Sequence, residues 1–184
     1  MTPEPHPLRN VLEQVGPESC PGRFNFHCHT LCSDGSLDPI DLISQASERG
    51  LTNLAVTDHH SSHAHAPMTA WLKAQRATGR TVPTLWSGME ISALLKGCLV
   101  HVLALGFKLD HPALHPYNLG DAVVGEALRA DVVVKAIHAA GGLAVLAHPA
   151  RYRLSHDLLI NEASSLGFDG GEAWYDYDLS LIHI

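Results

Sequence analysis

Short apolar runs alternate with amphipathic stretches along most of this chain. Arg23 to Cys28 sets Phe24 and Phe26 between polar partners, the alternation of a half-buried strand. Asp38 then reads as a helix N-cap, with Pro39 at the first helical position, Ile40, Leu42, Ile43 and Ala46 as the inward stripe and Gly50 as the stop. Asn53 to Thr57 is a short buried strand. A second helix is predicted over Met68 to Thr78, ended by Gly79, and a third strand over Thr81 to Ser87, stopping at Gly88-Met89-Glu90. Cys98 to Phe107 is strand-like, with His101 embedded among aliphatic neighbours. Asp110 to Tyr117, with Pro112 and Pro116, reads as a loop, and a long helix is predicted from about Asp121 to Ala140, closed by Gly141-Gly142. Leu143 to Ala147 is a fully apolar strand, Ser155 to Leu166 a helix with Ser155 as its cap, and Phe168 to Trp174 opens one more strand. Met1 to Gly22 is polar and proline-rich and reads as a loose lead-in.

Strands alternating with helices imply parallel strands joined by right-handed crossovers, and such sheets gather their reactive groups at the strands' C-terminal ends. The chemistry-bearing residues fall at those ends: Cys28 and His29 after the first strand, Asp58 and His59 after the second, Glu90 after the third, and His148 after the fifth. With 184 residues, one domain with a real core is expected. Composition narrows its setting. No apolar stretch approaches a membrane span, no secretory signal pattern is present, and a cytoplasmic location is the expectation. The formal charge is −7 and no Lys/Arg run occurs, so stable nucleic-acid binding through a basic surface is not expected. Four cysteines are too few for a disulfide framework, and the pair Cys28 and Cys32 has no second pair with which to hold zinc.

The unusual quantity is 14 histidines. Imidazoles and carboxylates aimed at one point repel or stay unpaired unless a cation lies between them, so the pattern reads as a multi-metal site. In an H-x-H pair on a strand both side chains point the same way, which lets His27 and His29 chelate one ion. Taken singly, His101 in an apolar strand reads as a core residue, Glu90 as a solvated turn, and Asp34 in Ser33-Asp34-Gly35 as a turn residue capping its own backbone. His63, His65, His111, His115, His138 and His156 read as bystanders. His60 is a candidate substrate-facing group, and Arg151, three residues past His148, a candidate guanidinium fork for a phosphate.

Together FNFHCHTLCSDGSL, LAVTDHH, GMEIS, HVLALGF and LAHPARY, in this order and each after a strand, resemble the motifs of the polymerase and histidinol phosphatase (PHP) superfamily. The resemblance implies an α/β fold, a distorted (βα)7 barrel of the PHP type, here incomplete, holding two or three divalent ions of Mn, Zn or Fe. It implies that His27, His29 and Glu90 bind one metal, that Glu90 bridges to a second held by His101 and His148, and that Asp34 and His59 serve a third. Asp58 is expected behind them, orienting a ligand imidazole. The implied reaction is hydrolysis of a phosphate ester by a metal-bridging hydroxide, with Glu90, His60 and Arg151 as catalytic candidates. Nucleoside 3′,5′-bisphosphates and oligonucleotide ends are the favoured substrates; a histidinol-phosphatase-like enzyme and a non-catalytic metal-binding module are the alternatives. The oligomeric state is not readable.

Relatives continue past this chain to a final Asp-x-His pair. Leu179 to Ile184 also reads as a translation of a transposon end used in sequencing libraries. The expected organisation is therefore a lead-in over 1–22, a PHP domain over 23–178 lacking its C-terminal part, and a non-native tail over 179–184.

Overall fold

A computed structural model of the chain describes residues 5–16, 18–20, 22–176 and 179–181. Its first element lies in the segment expected to be a loose lead-in. Helix α1 (Pro7–Leu12) is capped by the His6 ring, which accepts from the Leu8 N–H, and it buries Leu8 and Leu12 against Phe24, Phe26, Leu103 and Leu143. Arg9 reaches across to Asp169 at 2.5 Å, tying α1 to the far end of the chain.

Strand β1 (Phe24–Asn25), helix α2 (Pro39–Glu48), strand β2 (Asn53–Ala55), helix α3 (His65–Ala77) and strand β3 (Thr84–Trp86) follow, with the strands parallel in the order β1-β2-β3. Helix α2 starts as its sequence dictates: Asp38 accepts from the Ile40 N–H at 2.8 Å, Pro39 opens the first turn, and Ile43 and Ala46 are buried. The next part departs from the expected all-parallel plan. Strands β4 (Gly88–Leu95) and β5 (Cys98–Leu105) form an antiparallel hairpin, and β5 pairs antiparallel with β6 (Leu143–Leu146). Lys96 and Gly97, both at positive φ, make the two-residue turn whose twist suits a hairpin. Consequently Glu90 lies within a strand rather than just past one.

Helix α4 spans Ala130–Ala139, half the expected helix. The preceding stretch is diverted because Gly125 takes φ +67 and Arg129 is extended and bridges in parallel to Leu94, a tertiary pairing that overrides local helix preference. The Pro-rich segment Pro112–Tyr117 is a 3-10 helix rather than an open loop. Helix α5 (His156–Ser165) is capped by Ser155 as expected, and β7 (Gly170–Gly171) adds to β6 in parallel. Strands β8 (Trp174–Asp176) and β9 (Leu179–Leu181) pair antiparallel, so the first half of the expected tail falls in β9, while His183 lies outside the described residues.

The sheets β1-β2-β3 and β4-β5-β6-β7 meet where β4 runs beside the extension of β2. His59 bridges Glu90 in parallel, the Glu90 N–H donating to Asp58 O and the His60 N–H to Glu90 O. Gly88 permits this approach, since a Cβ there would lie 2.3 Å from the Val56 carbonyl oxygen. One face of β4 and β5, carrying Met89, Ile91, Ala93, Val100 and Val102, packs on α4. The other face carries Glu90 and His101. The fold is mixed α/β, and among the described residues no helix is long and apolar enough to cross a membrane.

Candidate metal centre

Past β1 the chain stays extended beside the β2 extension, the Thr57 N–H donating to Cys28 O at 2.8 Å. Alternation then sends Cys28 one way, toward Ile43 and Leu54, and His27 and His29 the other. The Cys28 thiol donates to Ala55 O, and burial, reinforced by the nearby Asp58 carboxylate, pushes it up to about 12. With Cys32 it packs against the cluster of Ile43, Leu54, Met68 and Leu72, turned away from the imidazoles. Cysteine takes no part in the site.

The imidazoles converge on Glu90, whose side chain is 1 % exposed. Its Oε2 lies 3.1 Å from His27 Nε2, 3.1 Å from His29 Nε2 and 3.6 Å from His59 Nε2. Its Oε1 lies 2.8 Å from His101 Nδ1 and 3.0 Å from His148 Nε2. One oxygen thus faces His27 and His29, the other His101 and His148. Asp34 forms the rim: Oδ1 is 3.0 Å from His29 Nδ1 and Oδ2 is 3.6 Å from His59 Nε2. The geometry therefore assembles His27 with His29 and Glu90, His29 with Asp34 and His59, and His59 with Glu90 and His101. His59 reaches toward Asp34 and Glu90 at once, a connection that spacing did not indicate.

Donor chemistry and geometry fit divalent ions. Two ligands each about 2.1 Å from a tetrahedral ion lie about 3.4 Å apart, close to the separations here. His101 Nδ1 approaches Glu90 at 2.8 Å without the alignment of a hydrogen bond, and it has no hydrogen-bond partner among the described residues. His27 Nε2 and His29 Nε2 lie 3.2 Å apart. Nitrogens and oxygens gathered this closely around one point suit ligands of a common ion. Electrostatics agree: burial alone would raise the Glu90 carboxyl, but the close imidazoles of His101, His148, His27 and His29 hold it far below the ordinary carboxylate range.

Behind the ligands the structure reassigns a role. Asp58 was expected to orient an imidazole, yet its fully buried carboxylate accepts from the Thr30 N–H at 2.6 Å, the Thr30 hydroxyl at 2.7 Å and the Ser33 hydroxyl at 2.9 Å. It fastens the turn that carries Asp34. Gly35 closes that turn against His29, where a Cβ would sit 2.3 Å from the backbone. The imidazole is held instead by Glu172, which sequence reasoning missed: Oε1 accepts from His27 Nδ1–H at 2.8 Å, and Oε2 from the His148 N–H at 2.5 Å. The only sequence signal was an acid inside an otherwise apolar strand run, Gly170-Gly171-Glu172-Ala173-Trp174.

A cavity of about 250 Å³ is lined by His27, His29, Asp34, His59, Glu90, His101, His148 and Arg151. Arg151 lines the cavity beside the imidazoles. His60 does not. Its buried ring accepts the Ser92 N–H at Nε2 and donates from Nδ1 to Tyr117 O, away from the cavity lining, which corrects the substrate-facing expectation. His65 opens α3 and His138 pairs with Asp169, both remote from the cluster.

No protein-family model matches the chain. Among curated proteins it is 24% identical to a 5′-3′ exoribonuclease of Haemophilus influenzae over 82% of this chain and 78% of that protein. It is 34% identical to a 3′,5′-nucleoside bisphosphate phosphatase of Chromobacterium violaceum over 50% of this chain but only 30% of that protein. Among solved structures, a protein from Bifidobacterium adolescentis described as a metal-dependent phosphoesterase superposes with a TM-score of 0.66 at 22% identity, covering 84% of this chain and 78% of its own. A two-domain protein of Bacteroides vulgatus containing a PHP-like metal-dependent phosphoesterase superposes with a TM-score of 0.52 at 18% identity, over 82% of this chain and 43% of its own. In fold, this chain is similar to solved structures described as metal-dependent phosphoesterases, one of them PHP-like.

Proposed function

We propose that this chain is a metal-dependent phosphoesterase that works on the phosphate end of a nucleotide or oligonucleotide, with nucleoside 3′,5′-bisphosphates as the best small substrates. The observation that carries this reading is the division of Glu90, one oxygen toward His27 and His29 and the other toward His101 and His148. His27, His29 and Glu90 would hold one ion, Glu90, His101 and His148 a second, and Asp34 with His59 a third. When bound, such ions polarise a phosphoryl group and offset the charge that grows on its oxygens.

The protein's own groups supply the rest. Glu90 is kept ionised by the imidazoles around it, so it presents both oxygens as acceptors at neutral pH. Arg151 lines the cavity as the sole guanidinium among its lining residues and supplies a planar fork for phosphate oxygens. The cavity, at about 250 Å³, lies below the roughly 300–1,000 Å³ of sites that enclose a whole small molecule. It accommodates the phosphoryl end and leaves the organic part outside, which suits terminal phosphates on substrates of varied length. The names of the curated relatives, an exoribonuclease and a bisphosphate phosphatase, favour nucleotides over other esters.

The test is release of inorganic phosphate from adenosine 3′,5′-bisphosphate by chelator-stripped protein, with Mn, Zn or Fe(II) restored one at a time. Release is expected only after metal is restored, and faster than from histidinol phosphate. Absence of release from either ester with every metal, while metal still binds, would establish the non-catalytic module instead.

A further inference from the structure

Glu172 touches two of the metal-facing elements at once. It follows β7, its backbone N–H donates to Leu146 O at 2.9 Å, and its carboxylate is buried. The Oε1 atom takes the Nδ1–H of His27, which stands past the end of β1, and Oε2 takes the backbone N–H of His148, which stands past the end of β6. Neither contact is a generic filling of space. A neutral imidazole carries its proton on one nitrogen only, so an acceptor at Nδ1 assigns the proton there and leaves the Nε2 lone pair free. His148 sits at φ 29 and ψ 59, a conformation uncommon for a residue with a Cβ, and it persists where surrounding contacts over-determine it.

We propose that Glu172 is a positioning residue for both histidines: a single carboxylate sets the Nδ1–H tautomer of His27 and pins the left-handed turn at His148, so that the two Nε2 atoms face opposite oxygens of Glu90. The proposal rests on the metal reading for its purpose. The two hydrogen bonds of the clamp are a property of the metal-free chain, and they select the Nδ1–H form once His27 gives up its Nε2 proton. It couples the β7 segment to the site, because Glu172 keeps its two partners only while Gly170 and Gly171 stay in register with Val145 and Leu146.

Glu172→Ala and Glu172→Gln test it, each first checked for a wild-type circular dichroism spectrum. In metal-free protein, amide exchange at His148 should accelerate at least about tenfold in Glu172→Ala, while Ala147, whose N–H donates to His101 O, keeps its protection. In zinc-loaded protein, nitrogen NMR should show His27 with a proton on Nδ1 in the wild type, lose that signature in Glu172→Ala, and retain it in Glu172→Gln, whose amide oxygen still accepts. Zinc affinity should fall about 10- to 100-fold in Glu172→Ala and less in Glu172→Gln. Should Glu172→Ala not fold, Glu172→Gln carries the test: its amide can serve only one of the two donors as acceptor, so either His148 exchange or the His27 signature must change. Unaltered exchange together with an unaltered His27 signature would overturn the clamp. A wild-type protein that takes up no zinc overturns the metal reading instead, and the exchange measurement then decides the clamp by itself.

Discussion

The two sheets hold their shares of the site by different means. In β1-β2-β3 the groups lie beyond the strand ends, on backbone whose path depends on side chains: Asp58 gathers Thr30 and Ser33, and Gly35 packs on His29. In β4 and β5 they lie inside the ladder, with Glu90 opposite Leu103 and His101 opposite Ser92. Backbone pairing leaves Glu90 and His101 little freedom, and their reverse face is sealed against α4. In the proposed centre the antiparallel half would therefore fix where the ions sit, while the parallel half would bring adjustable ligands to them. Loss of a ladder ligand should abolish function without changing the backbone, and loss of a loop fastener should loosen one side of the site and spare the other.

The largest effect is expected at Glu90. Glu90→Gln keeps the shape but removes the charge that both imidazole sets face, and phosphate release should drop by about 1,000-fold or more, with the second equivalent of metal lost in calorimetric titration. Retained turnover would break the assignment of the ladder as the fixed half. Asp58→Asn comes next. It replaces a buried acceptor of three donors, so urea denaturation should show a loss of about 2 kcal/mol, with metal weakened at the Asp34 and His59 side and kept by Glu90, His101 and His148. Equal weakening at both sides would mean that the halves are not separable.

A pH profile sharpens the same contrast. Burial would lower the His27 imidazole, but Glu172 and Glu90 outweigh it and raise it from 6.5 to about 10. In metal-free protein the stabilisation from this charged pairing is complete below about pH 6.5 and is lost as pH climbs toward 10. Melting temperature in chelator should fall across that window. Zinc uptake must expel the same proton, so affinity should rise over the window, and titrations in buffers of different ionisation heat should count a released proton. A flat profile in both measurements would place the proton elsewhere. The smallest effect on chemistry is expected at His60: His60→Gln should cost about 1 kcal/mol of stability through its Ser92 and Tyr117 bonds and leave turnover within about threefold. A hundredfold loss of turnover at unchanged stability would return His60 to the substrate.

Much of the helix and strand pattern was readable along the chain because its signals are local. The cap and stop of α2, the cap of α5, and the alternation that puts His27 and His29 on one side all depend on neighbours a few residues away. The hairpin was also written locally, as Lys96-Gly97 between two apolar runs, but the expectation of a uniform parallel plan masked it. The shortened α4 was not readable, since its start is decided by Arg129 pairing with Leu94.

By itself, the sequence determined which chemical groups were available and roughly where each strand would deliver them, because side-chain direction follows from backbone period. Only the tertiary structure decided which of several similar residues serve the site. His59 and His60 are adjacent in the chain, yet a positive φ at His60 and its bonds to Ser92 and Tyr117 turn one imidazole into the core while the other faces Glu90. Asp58 and Glu172 exchange expected roles for the same reason: a carboxylate takes whichever donors the packed backbone brings within hydrogen-bond reach, and those donors lie 28 and 145 positions away along the chain.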